Sequence, residues 1–214
     1  MNKKIILVGG GGHCKSVIDV AESAGYTILG ILDRAEKVGH EILKYKVIGT
    51  DDDIVKFVNH AEFIVSVGQI KSPDLRILLH NKIVAVGGTL ATIISPYAHV
   101  SEYARIGEGT VIMHHAIVNA DASVGRGCII NTLADIEHDV VIGNYCHVST
   151  GAIINGGVHI QDCTFIGSQS VVNQNVHITG GVISSLSVVN KDLSKKGVYA
   201  GGPAKMIEDY GYKN

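Results

Sequence analysis

Tryptophan is absent from this 214-residue chain, proline occurs three times, and aromatic residues make up only 5%. A core built on large rings is thereby excluded. With 26 glycines against so few prolines, the backbone has to change direction through many tight glycine turns. Excess charge of one sign is missing too. A net charge of −2 and a pI of about 6.6 leave no basic face for nucleic acid or an anionic membrane, so neither is expected as a partner. Long apolar runs are also lacking near the start, where M-N-K-K-I-I-L-V-G-G is too short for a signal peptide core or a membrane span. A cytoplasmic location is the expectation. The cysteines Cys14, Cys128, Cys146 and Cys163 include no C-x-x-C pair and are expected as reduced thiols. What the chain does have is 46% hydrophobic residues against 18% charged ones, enough for a substantial core.

The first 88 or so residues alternate short β-rich runs with helical patterns. K-K-I-I-L-V-G leads to a helix over roughly His13 to Gly25 and then to T-I-L-G-I-L-D. A helix candidate over Asp51 to Asn59, the run F-I-V-S-V-G, a helix near Leu75 to Asn81 and the run I-V-A-V-G follow. That alternation predicts a small parallel sheet with helices on its faces.

From Ile94 the pattern changes. Every sixth residue is Ile or Val, from Ile94, Val100 and Ile106 through Ile136, Ile142 and Val148 to Val172 and Ile178, without exception over fifteen hits. Four residues after each hit stands a small or β-branched residue, from Ala98 and Ala104 through Cys128 and Cys146 to Val176 and Val182. An α-helix would scatter a period of six around its circumference, whereas short strands joined by turns keep it in register, so both ladders are expected to point inward in a β-solenoid.

The repeat [LIV]-[GAED]-x-x-[STAV]-x, matched by I-G-E-G-T-V from Ile106 and V-G-R-G-C-I from Val124, resembles that of the hexapeptide-repeat acyltransferases. The resemblance implies a left-handed parallel β-helix with three hexads to a coil. Fifteen hexads then make five coils, and at roughly 4.8 Å per stacked strand the prism is about 24 Å long. Residues 18 apart stack, which puts Cys128 above Cys146 as small interior hydrophobes and His159 above His177 as a surface ladder.

The segment I-E-H-D-V-V-I-G, Ile136 to Gly143, sets His138 between Glu137 and Asp139, two positions after an inward isoleucine, where a turn would project it outward. A hydrogen-bonded carboxylate would raise the basicity of the imidazole and fix its tautomer for proton abstraction. A solvated turn histidine with ordinary turn acids is the alternative the motif leaves open. The longer stretch N-T-L-A-D-I-E-H-D-V-V-I-G-N-Y-C-H-V-S-T-G-A, Asn131 to Ala152, resembles the signature of the branch that acetylates sugars for bacterial surface glycans. That branch includes the bacillosamine-pathway acetyltransferase, the perosamine acetyltransferases and the sialic-acid O-acetyltransferases. The resemblance covers essentially the whole chain, including V-Y-A-G-G-P-A-K-M-I from Val198 to Ile207. It implies His138 as general base, Asp139 as its support and His147 as a contact to acetyl-CoA, with the backbone near Gly156 and Ser168 also on the coenzyme. Asn131 falls to the substrate side. V-I-S-S-L-S, Val182 to Ser187, departs from the family's glycine-rich turn, with Leu186 where small residues are usual.

In the front half, V-G-G-G-G-H-C-K, Val8 to Lys15, joins a strand to a helix, and Asp33 ends the next strand. Such glycines leave helix N-terminal amides open to a phosphate or hydroxyl. Cys14 stands where a dinucleotide G-x-G-x-x-G would need its last glycine, and a purely structural glycine turn is the other reading. The resemblance implies that Gly11, Gly12, His13, Asp33, Arg34, Gly68 and Gln69 hold a nucleotide-sugar substrate.

The expected architecture is therefore an α/β, Rossmann-like nucleotide-sugar-binding domain over 1–88, an all-β left-handed β-helix acyltransferase domain over 89–190 and a C-terminal tail over 191–214. The expected activity is acetyl-CoA-dependent N-acetylation of the 4-amino group of a nucleotide-linked 4-amino-4,6-dideoxy sugar. No metal is expected, and the resemblance implies a homotrimer with its active sites at subunit interfaces. The alternatives are O-acetylation of sialic acid or a related sugar, a γ-carbonic-anhydrase-like zinc site drawing on His114, His115, His138 and His147, and a non-catalytic β-helix assembly module.

Overall fold

The structure, a computed structural model, describes residues 3–210. The front domain runs β1 (Lys4–Val8), α1 (Gly12–Ser23), β2 (Thr27–Leu32), β3 (Glu41–Ile42), β4 (Tyr45–Gly49), β5 (Glu62–Val65) and α2 (Asp74–Ala85), with a 3-10 turn at Asp51–Lys56. The sheet order is β3-β4-β2-β1-β5, parallel except for the β3–β4 hairpin at its edge. β1 sits centrally, which explains its unbroken apolar run. Ile5 and Leu7 pack with Cys14, Val17 and Ile18 of α1, while Ile6 and Val8 face Phe63, Leu79 and Ile83 on the other side.

Two elements differ from expectation. I-V-A-V-G, read as a strand, belongs to the end of α2 and its exit, because Ile83 follows Leu79 by one helical turn on the same buried side. The extended segment comes after Gly87 and Gly88, where Phe63 donates to Thr89 O and accepts from Ala91 N. The β3–β4 hairpin went unread, since its strands are short and it lies at the sheet edge.

The hexads form two-residue strands that stack every 18 residues into three parallel sheets, as in the pairs Ile117↔Asp135, Ser123↔Val141 and Ile129↔His147. From Ile112 onward the inward ladder is almost fully buried, whereas Ile94 is 38% exposed because no coil lies beneath it. From Ile106 to Val172, the third residue after each inward position is left-handed. His115, Asp121, Leu133, Asp139, Tyr145, Cys163, Gln169 and Asn175 have φ between 53° and 63°, and Gly109, Gly127, Gly151 and Gly157 take the same place. Cys128 and Cys146 are buried, and the exposed rings of His159 and His177 stack 4.8 Å apart.

The solenoid continues past its regular repeat. Phe165 pairs with Val182 and Ile166 with Ile183, one residue short of 18, because Gly180 and Gly181 at φ 124° and 103° close the corner early. Val182 therefore leaves the inward ladder, and buried Ser187 takes the small-residue position. Strands Gly181–Ile183 and Val188–Val189, with the bridge from Leu193 to Ile178, build a sixth coil; Gly197–Ala200 stacks on Gly181–Ile183, and Lys205–Asp209 adds antiparallel to it. The expected tail of 191–214 is thus part of the last sheets as far as Asp209, and 211–214 lie outside the described residues. Among the described residues no helix is long and apolar enough to cross a membrane.

The front domain sits on one solenoid face. Ile93, Val111 and Ile129 point outward there and are nearly fully buried, Ile93 and Val111 in one cluster with Val17 and Ile18 of α1. His114 Nε2 meets Asp19 Oδ2 of α1 at 3.1 Å, and Tyr26 donates to Thr92 O at 3.1 Å.

Candidate active site

The turn after Ile136 projects His138 into solvent at a corner of the prism, beside a cavity of about 640 Å³ lined by Glu137, Asp139, Asn155, Gly156 and Asn175. His138 Nδ1 lies 2.8 Å from Asp139 Oδ2. A carboxylate only accepts, so Nδ1 carries the hydrogen and Nε2 keeps its lone pair, with no hydrogen-bond partner among the described residues. That hydrogen bond, with the negative charges of Asp139 and Glu137, raises the His138 pKa above its ordinary value. Asp139 can serve because it occupies the left-handed turn position, which Asp tolerates better than most residues. Gly156 lies against the ring: a Cβ there would stand 2.7 Å from His138 Cε1 and Nε2. The glycine makes room for the imidazole.

A second polar cluster occupies the seam between the domains. His147 points outward from the covered face and is 7% exposed. Its Nδ1 donates to Gln69 O at 2.8 Å, and its Nε2 accepts from Asn131 Nδ2 at 3.2 Å. The Asn131 amide is oriented by Thr132 N donating to its Oδ1. Burial pushes the His147 pKa down to about 4, the bond to Gln69 opposes this, and the nearby Arg76 charge adds to it. His13 stands with its ring centre 6.4 Å away, and burial chiefly holds it to about 3. Gly68 lies against His13, and Gln69 Nε2 donates to Tyr145 O at 2.6 Å.

Around the first glycine turn, a cavity of about 190 Å³ is lined by Gly9, Asp33, Arg34, Val67, Leu75 and Leu79. Burial opposes ionisation of Asp33, but hydrogen bonds from Lys37, Arg34 N and Gly10 N outweigh it, and its pKa is lowered. Gly11 caps α1 and Gly12 begins it, both exposed, while Arg34 reaches into solvent and pairs with Glu36.

The structure thus brings His13, Gly68, Gln69, Asn131 and His147 together, with Asp33 and Arg34 at the neighbouring cavity, and leaves His138, Asp139 and Gly156 at another corner. Ser168 belongs to a third place, the turn after Ile166, where its hydroxyl meets Ser149 Oγ at 2.9 Å. The histidines weighed for zinc do not converge. His114 is engaged by Ser95 and Asp19, and among the described residues no group of three His, Cys, Asp or Glu side chains is placed for a metal. Sequence reasoning missed Arg76, His80 and Tyr145, which fill the seam. A signal existed in one outward ladder of spacing 18, where Ile93, Val111, Ile129 and Phe165 are apolar and only His147 among them is polar, which marks a covered face.

Residues 4–83 match the family described as the PglD N-terminal domain. PerB from Caulobacter crescentus, solved with CoA and GDP-perosamine, is 32% identical over 95% of this chain and 96% of its own, with a TM-score of 0.88. The chain belongs to the hexapeptide-repeat sugar acetyltransferases. The acetyltransferase domain of PglB from Neisseria gonorrhoeae, also solved with acetyl coenzyme A, is 29% identical over 96% of this chain and 100% of that one, with a TM-score of 0.89. WeeI from Acinetobacter baumannii, at 21% identity over 96% of this chain and 100% of its own with a TM-score of 0.85, shares the fold. No curated protein sequence matches significantly. As a sugar acetyltransferase of this family the protein is an acyltransferase, and its solenoid is the family's left-handed β-helix.

Proposed function

We propose that the protein transfers the acetyl group of acetyl-CoA to the 4-amino group of a nucleotide-linked 4-amino-4,6-dideoxy sugar used in bacterial surface glycans, with His138 as general base. The observation that carries the reading is the His138–Asp139 pair, which commits Nδ1 and turns a basic Nε2 toward an open cavity. The sugar amine attacks the thioester carbonyl carbon, and the C–N bond forms as the C–S bond breaks. His138 Nε2 takes the proton the amine sheds and returns it to the departing thiolate, so that coenzyme A leaves as the thiol. The CoA and GDP-perosamine bound to PerB support this donor and this class of acceptor.

The acceptor is held by the front domain through Gly11, Gly12, His13, Asp33, Arg34, Gly68 and Gln69, with Asn131 from the solenoid. Helix-start amides and Asp33 suit phosphate and hydroxyl groups respectively. The donor lies along Gly156 and Ser168. His147 donates from Nδ1 to Gln69 O and accepts at Nε2 from Asn131 Nδ2, so a hydrogen donor on acetyl-CoA reaches Nε2 by displacing the Asn131 amide.

The working form in this reading is a homotrimer with sites between subunits. No residue lines both the His138 cavity and the Asp33 cavity, and one solenoid face leaves Ile117, Ile153 and Val188 each 37–38% exposed, a largely aliphatic ladder, broken by Asp135 between the two isoleucines, for another copy to cover. A cytoplasmic setting goes with it, where unpaired cysteines stay reduced.

The reading is tested by incubating the protein with acetyl-CoA and a UDP-, dTDP- or GDP-linked 4-amino sugar, or with CMP-sialate, while following thiol release. Turnover with an amino sugar is expected. Release with the sialate alone would move the reading to O-acetylation, and no release with any acceptor would overturn it.

A further inference from the structure

Among the described residues Arg76 is the largest fully buried side chain, 1% exposed, and no carboxylate lies within ion-pair distance of it. A lone buried guanidinium is costly unless its donors are satisfied by geometry. Here carbonyls do that for both Nη atoms, while the buried Nε has no hydrogen-bond partner among the described residues. From α2, Nη1 donates to Val65 O at 3.1 Å and to Val67 O, and Nη2 donates across the seam to Gly127 O of the solenoid at 2.8 Å. The segment so gripped runs straight into Gly68 and Gln69. Gln69 is itself tied twice to the solenoid, through its side chain to Tyr145 O and through its carbonyl to His147 Nδ1.

We infer that Arg76 is a positioning residue, which clamps the Val65–Gln69 segment to the solenoid wall so that the Gln69 carbonyl locks His147 as its Nδ1–H tautomer and Gly68–Gln69 stay in place for the acceptor. The inference rests on the proposed function for the roles of His147, Gly68 and Gln69. Only the guanidinium fork reaches three carbonyls on two domains at once; a lysine ammonium on the same stem is a single point. The arrangement also has an electrostatic side. The groups around His147 are His13 of α1, Arg76 of α2, and neutral Gln69, Asn131 and Phe165, so the fixed positive charge reinforces burial in keeping His147 and His13 unprotonated. A neutral ring can accept a hydrogen bond at Nε2. A protonated one cannot.

The test reads the ring directly. Long-range ¹H–¹⁵N NMR of the wild-type protein should show His147 as the Nδ1–H form and still neutral at pH 6; an Nε2–H form, or a ring half-protonated near pH 6.5, would overturn the inference without any variant. In Arg76→Met the His147 signals should become a tautomer mixture titrating at higher pH, and KM for the nucleotide sugar should rise at least tenfold while KM for acetyl-CoA changes less. Arg76→Lys should restore the charge but not the fork, keeping the raised KM, and it is read in place of the methionine variant if that one does not fold. Folded variants with unchanged His147 signals and kinetic constants within twofold of wild type would sink the inference. A wild-type protein that acetylates no amino sugar would instead sink the proposed function, leaving the NMR result to stand on its own.

Discussion

A histidine on an exposed turn becomes a base only if something holds its tautomer and raises its proton affinity, and Asp139 does both for His138. The raised pKa has a definite kinetic sign. The active form is the neutral ring, so kcat/KM should climb with pH through a value above 6.5, the ordinary pKa of histidine. Asp139→Asn keeps a residue that tolerates the left-handed turn but removes the charge, so the acid limb should shift to lower pH while the plateau falls about tenfold. An unmoved acid limb in a rate–pH profile would show that the carboxylate does not tune the base. The E-H-D spacing made this pair legible in the sequence, since adjacent residues at a turn remain adjacent in space. The surroundings of His147 were not legible, because its partner Gln69 lies 78 residues away, and outward apolar residues mark a covered face without recording which residues of the front domain meet it.

The hexad is the part of the fold that the sequence states most openly: one inward aliphatic, one small inward residue and one left-handed turn residue per side of the triangle. That rule also explains where reading by period fails. Once Gly180 and Gly181 remove a residue from the corner, Val182 moves from the inward ladder to the outer surface beside Phe165, and a strict count of six stops one coil early. The left-handed position follows the shifted frame and falls on Leu186, at φ 60° and 70% exposed. A leucine there carries the steric cost of the left-handed region and gains little burial in return. Leu186→Asn should therefore stabilise the protein by about 0.5–1 kcal/mol, read as a higher urea midpoint at unchanged slope. A lower midpoint would mean that the leucine side chain is covered by something which offsets its strain.

The two domains meet over one solenoid face, and the base and the acceptor holder end up on separate surfaces of one chain. If each active site combines the His138 corner of one copy with the front domain of another, two chains that are each inactive should complement one another. His138→Ala removes the base and spares the holder. Gly11→Trp does the reverse: a Cβ at Gly11 meets nothing within 4 Å, so the fold tolerates the change while the indole fills the mouth of the helix start. Each variant alone should be silent. Co-refolded in equal amounts, they would place an intact corner against an intact holder at about a quarter of interfaces under random assembly of a cyclic oligomer, and that fraction of wild-type activity should return in particles of three times the 22.6 kDa chain mass. A mixture that assembles but stays silent would locate base and holder within a single chain, which would require the front domain to leave the face on which Arg76, Gln69 and His114 now fasten it.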